Sequence, residues 1–233
     1  MVYKFKFPLI PLEITLSKKQ PFGKVRKRDF NKVFVIGFNK TGTTTLKRTL
    51  MLWGFKIGNQ KIASMMLEDY SLQRFERIFA LVETTDVFQD FPFSKPNLFR
   101  ELDKQFPNSK FILSVRDSED QWFNSLLNFH SKKVGTKPPK EKDLAKVDNI
   151  YKGFLLDAMK ISWNYPKIGL YDEHYYKQIY SKHIEDVREY FKSRPDDLIE
   201  INVSRKNDFK TLVSFLNIET KMEGFPWVNK TKK

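Results

Sequence analysis

The sequence predicts an α/β fold in three layers, with a central parallel sheet of about four or five strands flanked by helices on both faces. Three observations carry this prediction. Short apolar runs rich in β-branched and aromatic residues fall at 33–37, 86–89, 110–115 and 198–203, and such runs read as buried parallel strands. Stretches with helical spacing separate them at crossover lengths, as parallel pairing requires. A chain of 233 residues with 40% hydrophobic content can build one real core, so wholesale disorder is excluded.

Residues 1–32 mix Pro8, Pro11, Pro21 and Gly23 with a basic run and read as an arm, leaving 33–233 as a single domain. Val33-Phe34-Val35-Ile36-Gly37 is the first strand. Thr43 to Trp53 is helical, with Leu46, Leu50 and Trp53 on one face and Gly54 as its stop. Two helices are expected over 61–69 and 71–81, then a strand at 86–89 and a helix from Pro96 to Gln105, where Pro suits the first turn. Lys110 to Val115 is a third strand, and Ser118 is placed to cap a helix running to His130. Residues 131–146, with Pro138-Pro139 and six Lys, read as a mobile loop. Helices are expected at 147–161 and 172–192, a turn at Arg194-Pro195-Asp196-Asp197, a strand at 198–203, a helix at 208–216 and an irregular end.

The net charge of +14 is unevenly placed: +7 lies in residues 1–32, +4 in 131–146 and +3 in 230–233, so the rest of the chain is neutral. Such runs are commonly solvated faces, but they also gather an anionic partner over a central site. The absence of Cys excludes a disulfide scaffold, a Cys nucleophile and thiolate-bound zinc, and leaves the redox compartment open. No apolar run approaches the ~20 residues needed to cross a bilayer, and Met1 to Lys6 does not read as a signal peptide. The expectation is a soluble cytoplasmic protein, with the basic segments leaving room for contact at the inner membrane surface.

The segment Phe38-Asn39-Lys40-Thr41-Gly42-Thr43-Thr44-Thr45 joins the first strand to the first helix. That is the architecture of an anion cradle. Backbone N–H groups and the helix dipole point at the ligand, and Gly37 and Gly42 permit close approach. Against the ATP-type pattern G-x-x-x-x-G-K-[ST], Thr43 stands where the phosphate-reaching Lys belongs, and the Lys falls two residues before Gly42 instead. This spacing disfavours a magnesium-dependent phosphotransferase, and no metal is expected. At the third strand, Arg116 at the C-terminal edge and a polar side chain on the following helix can face one phosphate together. Asn124 and Ser125 both lie at that distance.

The Lys-Thr-Gly-Thr-Thr-Thr segment resembles the 5′-phosphosulfate loop of the sulfotransferases that use 3′-phosphoadenosine 5′-phosphosulfate (PAPS), whose fold is similar to that of the P-loop NTPases. The resemblance implies that Lys40 contacts the bridging oxygen while Thr41, Gly42, Thr43, Thr44 and Thr45 hold the 5′-phosphate. Phe111-Ile112-Leu113-Ser114-Val115-Arg116-Asp117 followed by Trp122, Asn124 and Ser125 is similar to the family's 3′-phosphate motif. Arg116 is the anchor, with Ser125 at plus nine where the family has plus eight, the position of Asn124. Gln89-Asp90-Phe91-Pro92-Phe93 stands at the family's base segment, similar to the Asp-x-Pro of a bacterial-type branch. Asp90 is the candidate base, with Asp86 and His130 as alternatives. The tail Gly224-Phe225-Pro226-Trp227-Val228-Asn229-Lys230 is similar to the branch's last segment, which implies that Asn229 and Lys230 touch the 3′-phosphate.

Ordinary structural roles compete with several of these assignments. Arg116 would serve equally as an ion-pair partner of Asp117 or Glu119, Asp90 as a turn former, and His174 and His183 as surface or packed residues. The leading expectation is transfer of a sulfuryl group from PAPS, leaving 3′-phosphoadenosine 5′-phosphate (PAP), to a hydroxyl or amine of a small molecule, glycan or glycolipid. The basic loop favours an anionic acceptor, with an acceptor site built from 56–70, 131–150 and the arm. The alternatives are an atypical P-loop kinase and a non-catalytic polyanion-binding protein; specific nucleic-acid binding is disfavoured.

Overall fold

The computed structural model describes residues 23–25 and 27–226. In chain order the elements are β1 (Gly23–Val25), β2 (Val33–Val35), α1 (Thr43–Leu52), α2 (Gln60–Met65), α3 (Leu67–Ser71), α4 (Glu76–Glu83), β3 (Val87–Gln89), α5 (Leu98–Gln105), β4 (Lys110–Ser114), α6 (Glu119–Val134), α7 (Glu141–Leu144), α8 (Phe154–Trp163), α9 (Glu173–Phe191), β5 (Leu198–Ile201), α10 (Lys206–Phe215) and β6 (Ile218–Thr220). Strands β3, β2, β4 and β5 form, in that order, a parallel sheet.

Alternation of side chains along each strand builds the three layers. Phe34 and Ile36 point to one face, where they pack with Phe88, Phe111 and Leu113 beneath α4, α5 and the C-terminal part of α9. Val33 and Val35 point to the other, joining Ile112, Ile199 and Ile201 beneath α1 and α10. All four of these β2 and post-β2 side chains are fully buried, which explains why the run carries no polar residue. A third apolar cluster, from α6, α8 and α9 together with Phe38, stands beside the sheet's C-terminal edge.

Several elements differ from the sequence expectation. Residues 61–81 hold three short helices, not two, because Asn59 caps α2 by accepting from the N–H groups of Lys61 and Ile62 and the chain turns at Gln73, φ 55°. The helix expected from 147 begins at Phe154, after Gly153 at φ 89°, and residues 148 and 152 form an isolated antiparallel bridge instead. The 131–146 segment is not all loop: α6 runs to Val134 and stops at Gly135, and α7 buries Leu144 completely. At the end of the arm, Gly23–Val25 pairs antiparallel with β6, and Phe30 packs into the core at 6.2 Å from the Phe55 ring. Unlike β2 and β3, which are buried at every position, β1 and β6 are each buried at one end alone, so no continuous apolar run marks them.

The topology decides where a ligand can sit. The chain leaves β2 for β3 on one side and returns past β2 to β4 on the other. Open α/β sheets bind ligands outside the C-terminal strand ends at such a reversal. Here those ends deliver the 36–42 loop, Asp90, Arg116 and Val203.

Candidate active site

The loop after β2 is held from beneath. A Cβ on Gly37 would lie 2.1 Å from the Ser114 carbonyl oxygen, so only glycine lets the chain pass the end of β4. Thr41 is fully buried; its hydroxyl donates to the Phe38 carbonyl at 2.6 Å and shares a 2.6 Å hydrogen bond with the Ser114 hydroxyl. Its side chain therefore shapes the loop, and Thr41 is not among the residues that line the cleft. Asn39 is clamped by Trp122, whose indole Nε1 donates to its carbonyl at 3.0 Å, and by Ser94, which donates to its Oδ1 at 3.0 Å.

Gly42 caps α1 at φ 100°, where a Cβ would meet Val203 at 2.4 Å. The N–H groups of Gly42, Thr43 and Thr44 have no backbone partner among the described residues. No acidic residue occupies the first turn of α1, so unsatisfied donors and the positive helix end face the cleft together. Thr43, Thr44 and Thr45 line it.

Lys40 has φ 74°, and its ammonium rests 3.5 Å from the Phe129 ring centroid. Burial lowers its pKa, Arg116 and Lys133 push the same way, and Asp90 opposes them. Arg116 donates from Nε to the Lys40 carbonyl at 2.7 Å, while its backbone N–H donates to the Tyr180 hydroxyl at 3.0 Å. Burial also lowers the Arg116 pKa, against Tyr180 and Asp117. Its side chain makes no ion pair among the described residues: Asp117 takes Arg205 at 3.0 Å, and Glu119 accepts from Ser181 at 2.6 Å. The ion-pair reading of Arg116 is thereby set aside. Two half-buried cations without carboxylate partners are costly unless an anion completes them.

Helix α6 starts where Ser118 accepts from the Gln121 N–H at 3.1 Å. Its face brings Asn124, Ser125, Phe129 and His130 to the cleft. Adjacent helical positions differ by about 100°, so Asn124 and Ser125 both edge the cleft, and the offset of one residue in sequence does not remove either.

Asp90 follows β3 at φ 63° and lines the cleft, its Oδ1 accepting from the Phe91 N–H at 3.0 Å. The turn-forming role and the cleft-facing role thus coexist in one carboxylate. Burial raises its pKa, opposed by that hydrogen bond and by Lys40, Lys95 and Lys47. Lys95, which sequence reasoning missed, lies 3% exposed in the same wall. Its ammonium donates to the Ser162 hydroxyl at 2.7 Å and stands 4.3 Å from the Phe91 ring centroid. Burial pulls its pKa down to about 7, with Asp90 acting against the shift. The only sequence signal was a Lys in an otherwise apolar stretch one turn after Asp90.

The alternative bases fare differently. Asp86 precedes β3 and is held by Arg28 at 2.7 Å and by the Lys56 N–H at 2.9 Å, at the opposite strand end from the cleft. His130 lines the cleft, but its Nδ1 is 3.0 Å from the Tyr171 hydroxyl and burial, reinforced by Lys40, pulls its pKa down to about 4. His183 is buried in the core, stacked on Phe38 at 4.7 Å, with Nε2 donating to the Ile36 carbonyl at 2.9 Å. Asn229, Lys230 and Trp227 lie outside the described residues.

Lys40, Gly42, Thr43, Thr44, Thr45, Asp90, Lys95, Arg116, Asn124, Ser125 and His130 line one cleft of 2050 Å³. Among its described lining residues are the cations Lys40, Lys95, Arg116, Lys132, Arg205 and Lys206, against the carboxylates Asp90 and Glu223, so its field favours an anion. No group of three His, Asp or Glu among the described residues could hold a metal ion, and no helix among them is long and apolar enough to cross a membrane.

No curated protein matches the chain. The family described as "Sulfotransferase domain" matches residues 32–233, which takes in every strand of the parallel sheet and every cleft residue named above. The chain belongs to the sulfotransferase domain family, and so to the enzymes that transfer a sulfuryl group.

Proposed function

We propose that this sulfotransferase uses PAPS as its donor and passes the sulfuryl group to a hydroxyl or amine delivered at Asp90. The observation that carries the reading is the joining of Lys40 and Arg116 through the 2.7 Å hydrogen bond, with neither side chain ion-paired among the described residues. The Arg116 guanidinium is thus tied to the backbone that carries Lys40, and the two cations line one cleft from separate strand ends, as a donor with phosphates at both ends requires.

In this reading the free N–H groups of Gly42, Thr43 and Thr44 and the three Thr hydroxyls bind the 5′-phosphate. Lys40 leaves the Phe129 ring to meet the oxygen between phosphorus and sulfur. As the S–O bond breaks, negative charge grows on that oxygen, and a preplaced ammonium is worth most there. Arg116, with Asn124 and Ser125, takes the 3′-phosphate through a planar donor fork. Asp90 accepts the acceptor's proton as its oxygen or nitrogen bonds to sulfur, and the raised pKa suits a base working nearer neutrality. In-line placement of the two reactants supplies the rest.

Calorimetric titration tests this reading. PAP should bind without magnesium, more tightly than adenosine 5′-phosphate or ATP, and Arg116→Ala should remove the preference for the 3′-phosphate. Preference for magnesium-ATP, or indifference to Lys40→Ala and Arg116→Ala, would overturn it.

A further inference from the structure

The cleft holds more than a donor site. Pockets for one small ligand usually span about 300–1,000 Å³, and this one measures 2050 Å³. Its chemistry is also divided. The phosphate loop, Arg116, Lys132 of α6, Arg205 and Lys206 at the start of α10 supply most of the cationic lining, with Lys95 set into the opposite wall. The wall formed by the chain after β3 and by α8 is apolar: Phe91, Phe154, Leu155, Ala158, Met159 and Trp163. On α8 the residues Phe154, Leu155, Ala158 and Met159 recur at the spacing of a single helical face, and the Phe91 ring meets Phe154 edge-on at 5.7 Å.

The polar groups set into this wall are few and already engaged. The amide of Gln60 donates to the Phe91 carbonyl at 3.0 Å and to Ser64 at 3.1 Å, and its Oε1 accepts from Gln89. Lys95 is spent on Ser162. A sugar placed here would bury several hydroxyls with nothing to bond them, each a loss. A second anion would have to be desolvated beside Asp90. A body with one polar group and an apolar remainder meets neither penalty.

We infer that the wall of Phe91, Phe154, Leu155, Ala158, Met159 and Trp163 is the acceptor pocket, and that it takes an uncharged alcohol or phenol with an apolar or aromatic body, its single hydroxyl presented to Asp90. This assignment rests on the sulfuryl-transfer reading of the same cleft. It departs from the anionic acceptor that the basic segments suggested: the positive charge serves the donor, and the acceptor wall is built from the apolar face of α8.

The test uses the full chain saturated with PAP. Binding of 2-naphthol and 1-decanol is followed by calorimetry, and sulfation of each from PAPS by mass spectrometry. A chondroitin-type acidic oligosaccharide is run beside them. Ala158→Leu, which narrows the pocket, and Phe154→Ala, which widens it, are measured with PAP affinity as the check that each variant is folded. The expected result is binding and sulfation of 2-naphthol with none of the oligosaccharide. Ala158→Leu adds more than one methylene to the wall and should weaken naphthol binding by at least ~10-fold, since a single misplaced methylene already changes discrimination in a hydrophobic pocket by ~10–200-fold, with PAP affinity kept. If wild type binds PAP but neither naphthol nor decanol, or if naphthol binding ignores both substitutions, the pocket assignment is overturned. Failure of wild type to bind PAP at all would instead remove the donor reading on which it rests.

Discussion

Arg116 Nε donates a 2.7 Å hydrogen bond to the backbone carbonyl of Lys40, joining residues 76 positions apart in the chain. The bond does two things at once. It holds the phosphate loop against the end of β4, and it orients the guanidinium so that its terminal nitrogens are left for the cleft.

Arg116→Lys should therefore be far from conservative. A lysine keeps the charge and loses the fork that bonds carbonyl and phosphate together. Charge-assisted hydrogen bonds contribute about 1.5–3 kcal/mol each, so PAP should bind ~10–100-fold more weakly, while adenosine 5′-phosphate changes less. Equal losses for the two nucleotides, measured by calorimetry, would place the 3′-phosphate elsewhere.

Asp90→Asn should lower kcat by ~10²–10⁴-fold, the usual worth of a placed base, without weakening PAP binding. Because burial raises the Asp90 pKa, the acid limb of the wild-type rate profile should lie above the ordinary carboxylate range. A limb that stays where it was in Asp90→Asn, measured on its residual rate, would assign the base to another group.

Lys40 should govern the alkaline side. Its pKa is lowered chiefly by burial, so its charge is lost as pH rises through a value below 10.5, and PAP affinity should decline there. Lys40→Ala should cost ~10²–10³-fold in kcat, as expected for one lost donor to a developing oxyanion, and should abolish that decline in affinity.

Gly42→Ala should destabilise the protein by about 1–3 kcal/mol, since alanine is strained at φ 100° and its Cβ would press on Val203 at 2.4 Å. A denaturant midpoint equal to that of wild type would contradict the loop geometry.

Acid should unfold the protein early. His130 and His183 are buried neutral, each with a pKa pulled down to about 4 from an ordinary 6.5. Between those values the unfolded chain binds the extra proton and the native one does not. Stability is thus full above pH 6.5 and is lost as pH falls toward 4, by on the order of 3 kcal/mol for each His. His183→Gln keeps a donor for the Ile36 carbonyl and should flatten the dependence of thermal midpoint on pH over that window.

Legibility in the sequence followed the length of each signal. Strands β2 to β5 were readable because both faces of a parallel sheet are covered, which turns Val33 to Ile36 into an unbroken apolar run. The Ser118 cap and the stop of α1 at Gly54 were readable because caps are local. Strands β1 and β6 were not, because they lie outside the covered parallel sheet, carry exposed positions instead of an unbroken apolar run, and pair with each other. The break between α2 and α3 was hidden as well: it falls at the single residue Met66, whose φ and ψ leave the helix without any Gly, Pro or polar cap to mark it.

The candidate site divides in the same manner. By itself the sequence determined the donor half, since Lys40, Gly42 and Thr43 to Thr45 are contiguous and Arg116 ends a recognisable strand. Local geometry dictates what contiguous residues present. Tertiary structure decided the rest: that Thr41 turns inward to Ser114, that Asp117 takes Arg205 and frees Arg116, that Asp86 sits at the wrong end of β3, and that Lys95 is buried beside Asp90. These outcomes depend on which distant side chains share a neighbourhood. Burial and partner choice are properties of the packed chain, because a charge is retuned only by the groups and the dielectric that folding brings around it.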